Sequence, residues 1–256
     1  MSGLRLIVHQ SRYDVRVFRR NPAAMFFTVA LPVIFLLLFV SIFGNQEIEE
    51  LGVGGSTYYV PGIVALAVVS ATFVNLGITL TTQRESGVLK RVRGTPLPAW
   101  AFIGGRVVTA VAVAVAMTVV LVVLGRALYG VEVPGAPLVG FTLALVLGAA
   151  TFSGLGIAMT AAIPTEAAAP PLTNAVVLPL YFISGIFVPT SQIPGWLAGV
   201  AGVFPVKPFG EALLTAFDPA TSGWGIAVGD LAVVAAWGAV GLVVAARTFR
   251  WVPRAG

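Results

Sequence analysis

Between Gln83 and Pro96 the chain reads Gln-Arg-Glu-Ser-Gly-Val-Leu-Lys-Arg-Val-Arg-Gly-Thr-Pro, so that Arg84, Lys90, Arg91 and Arg93 share one short stretch with a single carboxylate, Glu85. The chemistry open to such a set is electrostatic recognition. Helical spacing from Glu85 to Arg93 puts Val88, Leu89 and Val92 on one face and leaves Lys90, Arg91 and Arg93 mostly elsewhere. Glu85 falls in the first turn of this predicted helix, where the helix dipole favours a negative charge. Gly87, Gly94 and Pro96 punctuate it. A compact amphipathic helix of this kind is suited to dock into another protein, its apolar face gripped by the partner. The competing reading, from charge alone, is a basic loop that only obeys the positive-inside rule.

Covalent chemistry finds no comparable concentration of residues. There is no cysteine, which removes disulfides, thiolate catalysis and Cys-ligated metals. The one histidine, His9, leaves no His-based metal pair and lies far in sequence from any candidate serine. Glu166, Glu211 and Asp218 are scattered. No Gly-Lys dipeptide occurs, so a P-loop cannot form and driving energy must come from another chain. Gly154-x-Gly156 lacks the third glycine of a dinucleotide fingerprint; with Ala150, Ala158 and Thr160 it reads as a small-residue ridge for helix packing. No catalytic residue, metal site or cofactor is expected in this chain.

The basic stretch must be positioned by a membrane. The 256 residues are 58% hydrophobic and only 10% charged, with a mean hydropathy of +0.97, whereas a soluble domain is usually about a quarter charged. Six apolar runs of membrane-crossing length stand out: Ala23–Phe43, Val60–Thr81, Arg106–Leu128, Leu138–Ile163, Pro170–Val188 and Ile226–Ala246. They lack the alternation of barrel strands. The fold class expected is an all-α membrane protein with six transmembrane helices. No ionisable residue lies mid-span, which argues against a proton-driven antiporter.

Orientation follows from the cations. With the N-terminus inside, thirteen of the fifteen Lys and Arg are cytoplasmic, all but Arg126 and Lys207. The net charge of +5 is therefore read as topology and not as nucleic-acid binding. Both termini are expected in the cytoplasm. Residues 1–22 form an interface helix, with Leu4, Ile7, Val8, Ser11, Val15 and Phe18 on one stripe. Its other stripe holds Arg5, His9, Arg12, Arg16 and Arg19, available to anionic headgroups or a partner. Spans 1–5 occupy residues 23–188. Residues 189–225 are too apolar to float free and too rich in proline to span; a broken, re-entrant outer segment fits them. Residues 226–246 are span 6, and 247–256 a cytoplasmic tail, giving one transmembrane domain over 1–256.

Polar groups inside the spans are few. Thr72, Asn75 and Thr79 share a face of span 2, and Asn174 sits in span 5. Interhelical hydrogen bonding is the plainer role for them and substrate contact the sharper one. Phe26, Phe27, Phe35, Phe39 and Phe43 in span 1 are candidates for lining a lipophilic path, Phe27 and Phe35 foremost. Tyr58 and Tyr59 read as an interfacial aromatic belt.

Arg84-Glu85-x-Gly87 followed by Lys90-Arg91 and Thr95-Pro96 resembles the membrane subunits of ABC-2 type exporters, above all the short drug-resistance permeases of the daunorubicin/doxorubicin kind. Arg19-Arg20-Asn21-Pro22, Pro32 and Ser184-Gly-Ile-Phe-Val-Pro189 support the match, which covers essentially the whole chain. Gln83 stands where many members carry Glu. The resemblance implies a permease in a bacterial plasma membrane, paired with itself or a related subunit and joined to two separate ATPase subunits that carry ATP and Mg. It assigns Arg84, Glu85, Gly87, Val88, Leu89, Lys90, Arg91 and Val92 to a cytoplasmic coupling helix between spans 2 and 3. It implies export of a lipophilic drug, antibiotic or lipid between spans 1, 2 and 5 of two protomers. Polysaccharide or glycolipid export is the rival within the family; a membrane-embedded enzyme or scaffold without an ATPase is the rival outside it.

Overall fold

The computed structural model describes residues 10, 11, 13–16, 20, 22–44, 47–48 and 52–253. A short helical stretch, Pro22–Met25, and a π turn, Phe26–Ala30, lead into α1, Leu31–Phe43. A two-residue hairpin follows, β1 (Glu47–Ile48) antiparallel to β2 (Val53–Gly54). The remaining elements are helices: α2 (Gly55–Glu85), α3 (Val88–Arg93), α4 (Ala99–Tyr129), α5 (Leu138–Met159), α6 (Ala169–Ile183), α7 (Gly195–Val203), α8 (Val206–Thr215) and α9 (Val228–Thr248). Among the described residues four of them, α2, α4, α5 and α9, are long and apolar enough to cross a membrane. The bent pair α7–α8 raises the number to five if it counts as one span, whereas Thr28–Phe43 and α6 are shorter.

The expected boundaries shift for physical reasons. The predicted second span, 60–81, extends at both ends to 31 residues, about 46 Å of helix. That exceeds the ~30 Å hydrocarbon core, so the end carrying Arg84 and Glu85 projects beyond it. The predicted fifth span, 170–188, stops as a helix at Ile183. Gly185 turns the chain there in the left-handed region, at φ +85°. The Tyr58 hydroxyl donates to its carbonyl at 2.6 Å. Tyr58 and Tyr59 are consequently buried inside the protein, not set in a lipid-facing belt.

α2 is the central element. Its residues 58–69 are almost all buried, as befits a helix that is apolar all round. α1, α4, α5 and α8 pack about it, and α9 packs on α5. The α5–α9 crossing is close because both helices present small residues: a Cβ on Gly238 would stand 2.6 Å from Thr151 Oγ1. Gly154 of the predicted ridge does face α9, but Gly156 faces Phe73 of α2 instead. α7 and α8 bend by 93° where Phe204 and Pro205 separate them.

Candidate docking site at the basic end of the bundle

α2 runs through Glu85 before the chain turns, so Glu85 ends a long helix instead of opening a short one. The dipole argument for its position therefore does not apply. Its carboxylate is held by the neighbouring guanidinium, Arg84 Nε donating at 2.6 Å. Gly87 makes the turn with φ +72°, and a Cβ there would meet nothing within 4 Å. The requirement for glycine is thus conformational and not steric. α3 then runs from Val88 to Arg93, and Thr95 closes it by donating from Oγ1 to the Val92 carbonyl at 2.7 Å.

Arg84, expected on the docking face, is buried. Its Nη1 and Nη2 donate to the carbonyls of Thr160 and Ile163, each at 2.7 Å. Those carbonyls lie just past the end of α5, where a helix leaves acceptors without partners and favours a cation. Leu89 is also fully buried, in a cluster with Leu76, Leu80, Phe102 and Ile157. The apolar face of α3 is therefore the predicted one, but it grips this chain's own bundle. Val88 and Val92 are half-buried, and Lys90, Arg91 and Arg93 stand exposed. What α3 offers outward is a basic face on a rigid base.

A second cluster adjoins this one. Residues 10–11 and 13–16 are helical, and Asp14 is buried against Arg106 of α4 at 3.1 Å. Gln10 Nε2 donates to Asp14 Oδ1 at 3.0 Å, and Arg106 Nη2 donates to Gln83 Oε1 at 2.9 Å. Arg106 also lies over the Phe102 ring, 5.1 Å from its centre. Burial pushes the Asp14 carboxyl above its ordinary pKa, while Arg106 and Gln10 pull it back. Gln83 thus spends its amide on Arg106, and the N-terminal helix is tied to the end of α2. Of the predicted interface cations Arg16 is exposed, whereas Arg5, Arg12 and Arg19 lie outside the described residues. Asp14 was not singled out from the sequence, where its only signal is being the one carboxylate in a basic stretch.

The candidate path residues are spread over the π turn before α1, α1 itself, α2 and α6. Thr72 is buried and donates to Val68 of its own helix at 2.6 Å, in the π turn Ser70–Val74. Thr79 donates to Asn75 Oδ1 at 3.1 Å, also within α2. Asn174 is half-buried on α6. Phe35 packs with Phe39 and Phe187, ring centres 6.2 and 5.6 Å away. The side chain of Phe27 lies outside the described residues.

The ABC-2 type transporter family model matches residues 7–217, taking in α3 and the helices that hold it. The chain belongs to the ABC-2 type transporter family. It is 33% identical over 204 residues to the daunorubicin resistance ABC transporter permease protein DrrB1 of Streptomyces coeruleorubidus, covering 74% of this chain and 67% of that protein. It is 22% identical over 152 residues to the probable multidrug ABC transporter permease YbhR of Escherichia coli K12, covering 59% of this chain. The alignment spans only 41% of YbhR. ABC-2 membership, with the long apolar helices, makes this chain a multi-pass membrane subunit of a transporter and implies an ABC ATPase subunit as its partner. The ABC-2 match ends before α9 begins.

Proposed function

We propose that the chain is the permease of an ATP-driven exporter for a lipophilic drug, antibiotic or lipid, and that its ATPase docks on the exposed face of α3. One observation carries this reading. Lys90, Arg91 and Arg93 are exposed on a helix whose opposite face, through Leu89, is locked into the bundle, and whose base is clamped by Arg84. Such a helix transmits force without absorbing it. Arg84 and Leu89 are then positioning residues, while Lys90, Arg91, Arg93 and the edges of Val88 and Val92 meet the partner. ATP and Mg stay on the ATPase.

In this reading residues 1–256 form one domain of six spans. The 22 residues from Pro22 to Phe43 reach about 33 Å, enough for span 1, and α6 forms a short span 5 with the turn that follows it. α7–α8 is a re-entrant segment at the outer surface, and both termini are cytoplasmic. Two copies, or this chain and a related one, enclose the path. The lipophilic cargo is favoured by the absence of ionisable residues in mid-span.

If a P-loop ATPase is encoded beside it, the chain should be co-expressed with that protein, purified as a complex and placed in proteoliposomes. Lipophilic cargo should stimulate ATP hydrolysis and accumulate on the far side. No co-purifying ATPase, or hydrolysis indifferent to every lipophilic compound, sinks the proposal. For topology, an impermeant thiol reagent on intact cells should label a cysteine at position 222 and spare one at 86; the reverse pattern inverts the orientation.

A further inference from the structure

Arg84 and Arg106 are both buried at the basic end of the bundle, and they are satisfied to different degrees. All three nitrogens of the Arg84 guanidinium donate, to Glu85, Thr160 and Ile163. Arg106 pairs through Nη1 with Asp14 and donates from Nη2 to Gln83, while its Nε has no hydrogen-bond partner. Asp14 mirrors it: Oδ1 takes both Gln10 and Arg106, and Oδ2 is left bare. Water offers little relief, since the Asp14 side chain is 2% exposed and that of Arg106 8%. Bare polar atoms in a buried ion pair carry a free-energy cost that opening the pair to water removes. A fully satisfied network fixes one arrangement; a half-satisfied one leaves an alternative close in energy.

The seating of the N-terminal helix points the same way. Among its described residues, Ser11 and Asp14 meet α4, Ser11 donating from Oγ to the Gly105 carbonyl at 3.2 Å and Asp14 pairing with Arg106. Tyr13, Val15 and Arg16 stand exposed. These contacts are polar, without the apolar burial that dominates permanent packing.

We propose that the N-terminal helix is a releasable latch on α4, with Arg106 as its catch and Gln83 as the lever that frees it. Gln83 adjoins Arg84 at the root of α3, so a displacement of that end of α2 moves Gln83 directly. Because Arg84 binds the end of α2 to the end of α5, the two move together, and the joint that gives is the one to α4. The guanidinium of Arg106 is one rigid plane. Turning it to follow Gln83 at Nη2 swings Nη1 away from Asp14. Asp14 then meets water, and the segment that leads in sequence to Pro22 and α1 is released. Arg106 and Gln83 are thus positioning residues, acting through the N-terminal helix. That the load comes from an ATPase rests on the docking proposed above; the latch itself rests on the contacts.

Amide hydrogen exchange over residues 10–16 of the purified full chain, followed by mass spectrometry, reads the latch. Without the ATPase, Arg106→Gln should speed exchange there about tenfold and leave residues 58–69 of α2 unchanged. Asp14→Ala should do the same from the other side, should the α4 variant fail to fold. With the ATPase bound and trapped by ATP and vanadate, wild-type exchange over 10–16 should rise. Gln83→Leu should abolish that rise with the ATPase still bound. Exchange over 10–16 unmoved by either catch variant overturns the latch. So does a bound, trapped ATPase that leaves those amides protected, or a Gln83→Leu subunit that responds as the wild type does. A wild type that binds no ATPase sinks the docking reading instead, and the latch then stands or falls on the ATPase-free comparison.

Discussion

Arg84 Nη1 donates to the Thr160 carbonyl at 2.7 Å, joining the last turn of α2 to the residue just past the end of α5, 76 positions further along the chain. The same guanidinium reaches Ile163 through Nη2 and Glu85 through Nε. One planar cation thus fastens three groups at the root of α3, using the fork of donors that distinguishes arginine from lysine. The two buried carbonyls, left unpaired, would cost about 1–3 kcal/mol each.

Arg84→Met keeps much of the bulk and removes every donor. It is expected to cost about 3–5 kcal/mol, the range for breaking a buried ion pair, because the variant removes the guanidinium from beside Glu85, which is only 12% exposed. Arg84→Lys should recover only part of that loss. Apparent melting temperatures in detergent measure both, and an Arg84→Met variant as stable as wild type removes the clamp from the argument.

Much of the bundle was legible because membrane helices announce themselves in apolar runs that depend on no distant residue. The amphipathic face of α3 was legible too, since Val88, Leu89 and Val92 share it by periodicity alone. What periodicity cannot say is which body that face meets. A basic residue at the end of an apolar run reads as a loop cation, and Arg84 departs from that only because the end of α5 arrives beside it with free carbonyls. Asp14 is similar: its burial is made by Arg106, 92 positions away, and by no local pattern. Tyr58 shows the converse, an aromatic at a span's head that looks interfacial until a hydrogen bond to Gly185 draws it inside.

The Asp14–Arg106 pair predicts a pH dependence with a definite sign. Burial raises the Asp14 pKa in the folded protein despite the attraction of Arg106. The folded state therefore binds a proton that the unfolded state releases, and stability rises as pH falls through the folded pKa toward the ordinary carboxylate value. Below that value no more is gained. Asp14→Asn lacks this contribution, so the melting temperature of wild type relative to the variant should climb as pH falls from neutrality toward the ordinary carboxylate value, about 4. Other carboxylates cancel in the difference. A fall over the same interval would mean that the ion pair outweighs desolvation.

Asn75 and Thr79 bond to one another along α2 and not across to a neighbouring helix. Asn75→Leu should therefore cost little stability, below the ~1 kcal/mol typical of a hydrogen bond. If this half-buried face borders the cargo path, the variant should change which compounds stimulate ATP hydrolysis while the complex stays intact. An unaltered compound profile returns Asn75 to a local role in its helix.

The docking face and its support can be separated by two substitutions on a six-residue helix. Lys90 and Arg91 are exposed and Leu89 is fully buried. Lys90→Glu/Arg91→Glu reverses the outward charge without touching the core, so the melting temperature should hold, as surface changes usually stay within about 0.5 kcal/mol. ATPase co-purification and transport in vesicles should both be lost, because an acidic face repels whatever the basic one attracts. Leu89→Asp should act in the opposite order. It places an unpaired charge among Leu76, Leu80 and Phe102, where a leucine side chain contributes about 1.5–3 kcal/mol by burial alone. Its subunit should lose thermal stability before any question of partner binding arises. If the charge-reversed subunit still holds its ATPase and still transports, the exposed face of α3 is not where force enters, and the basic residues serve topology only.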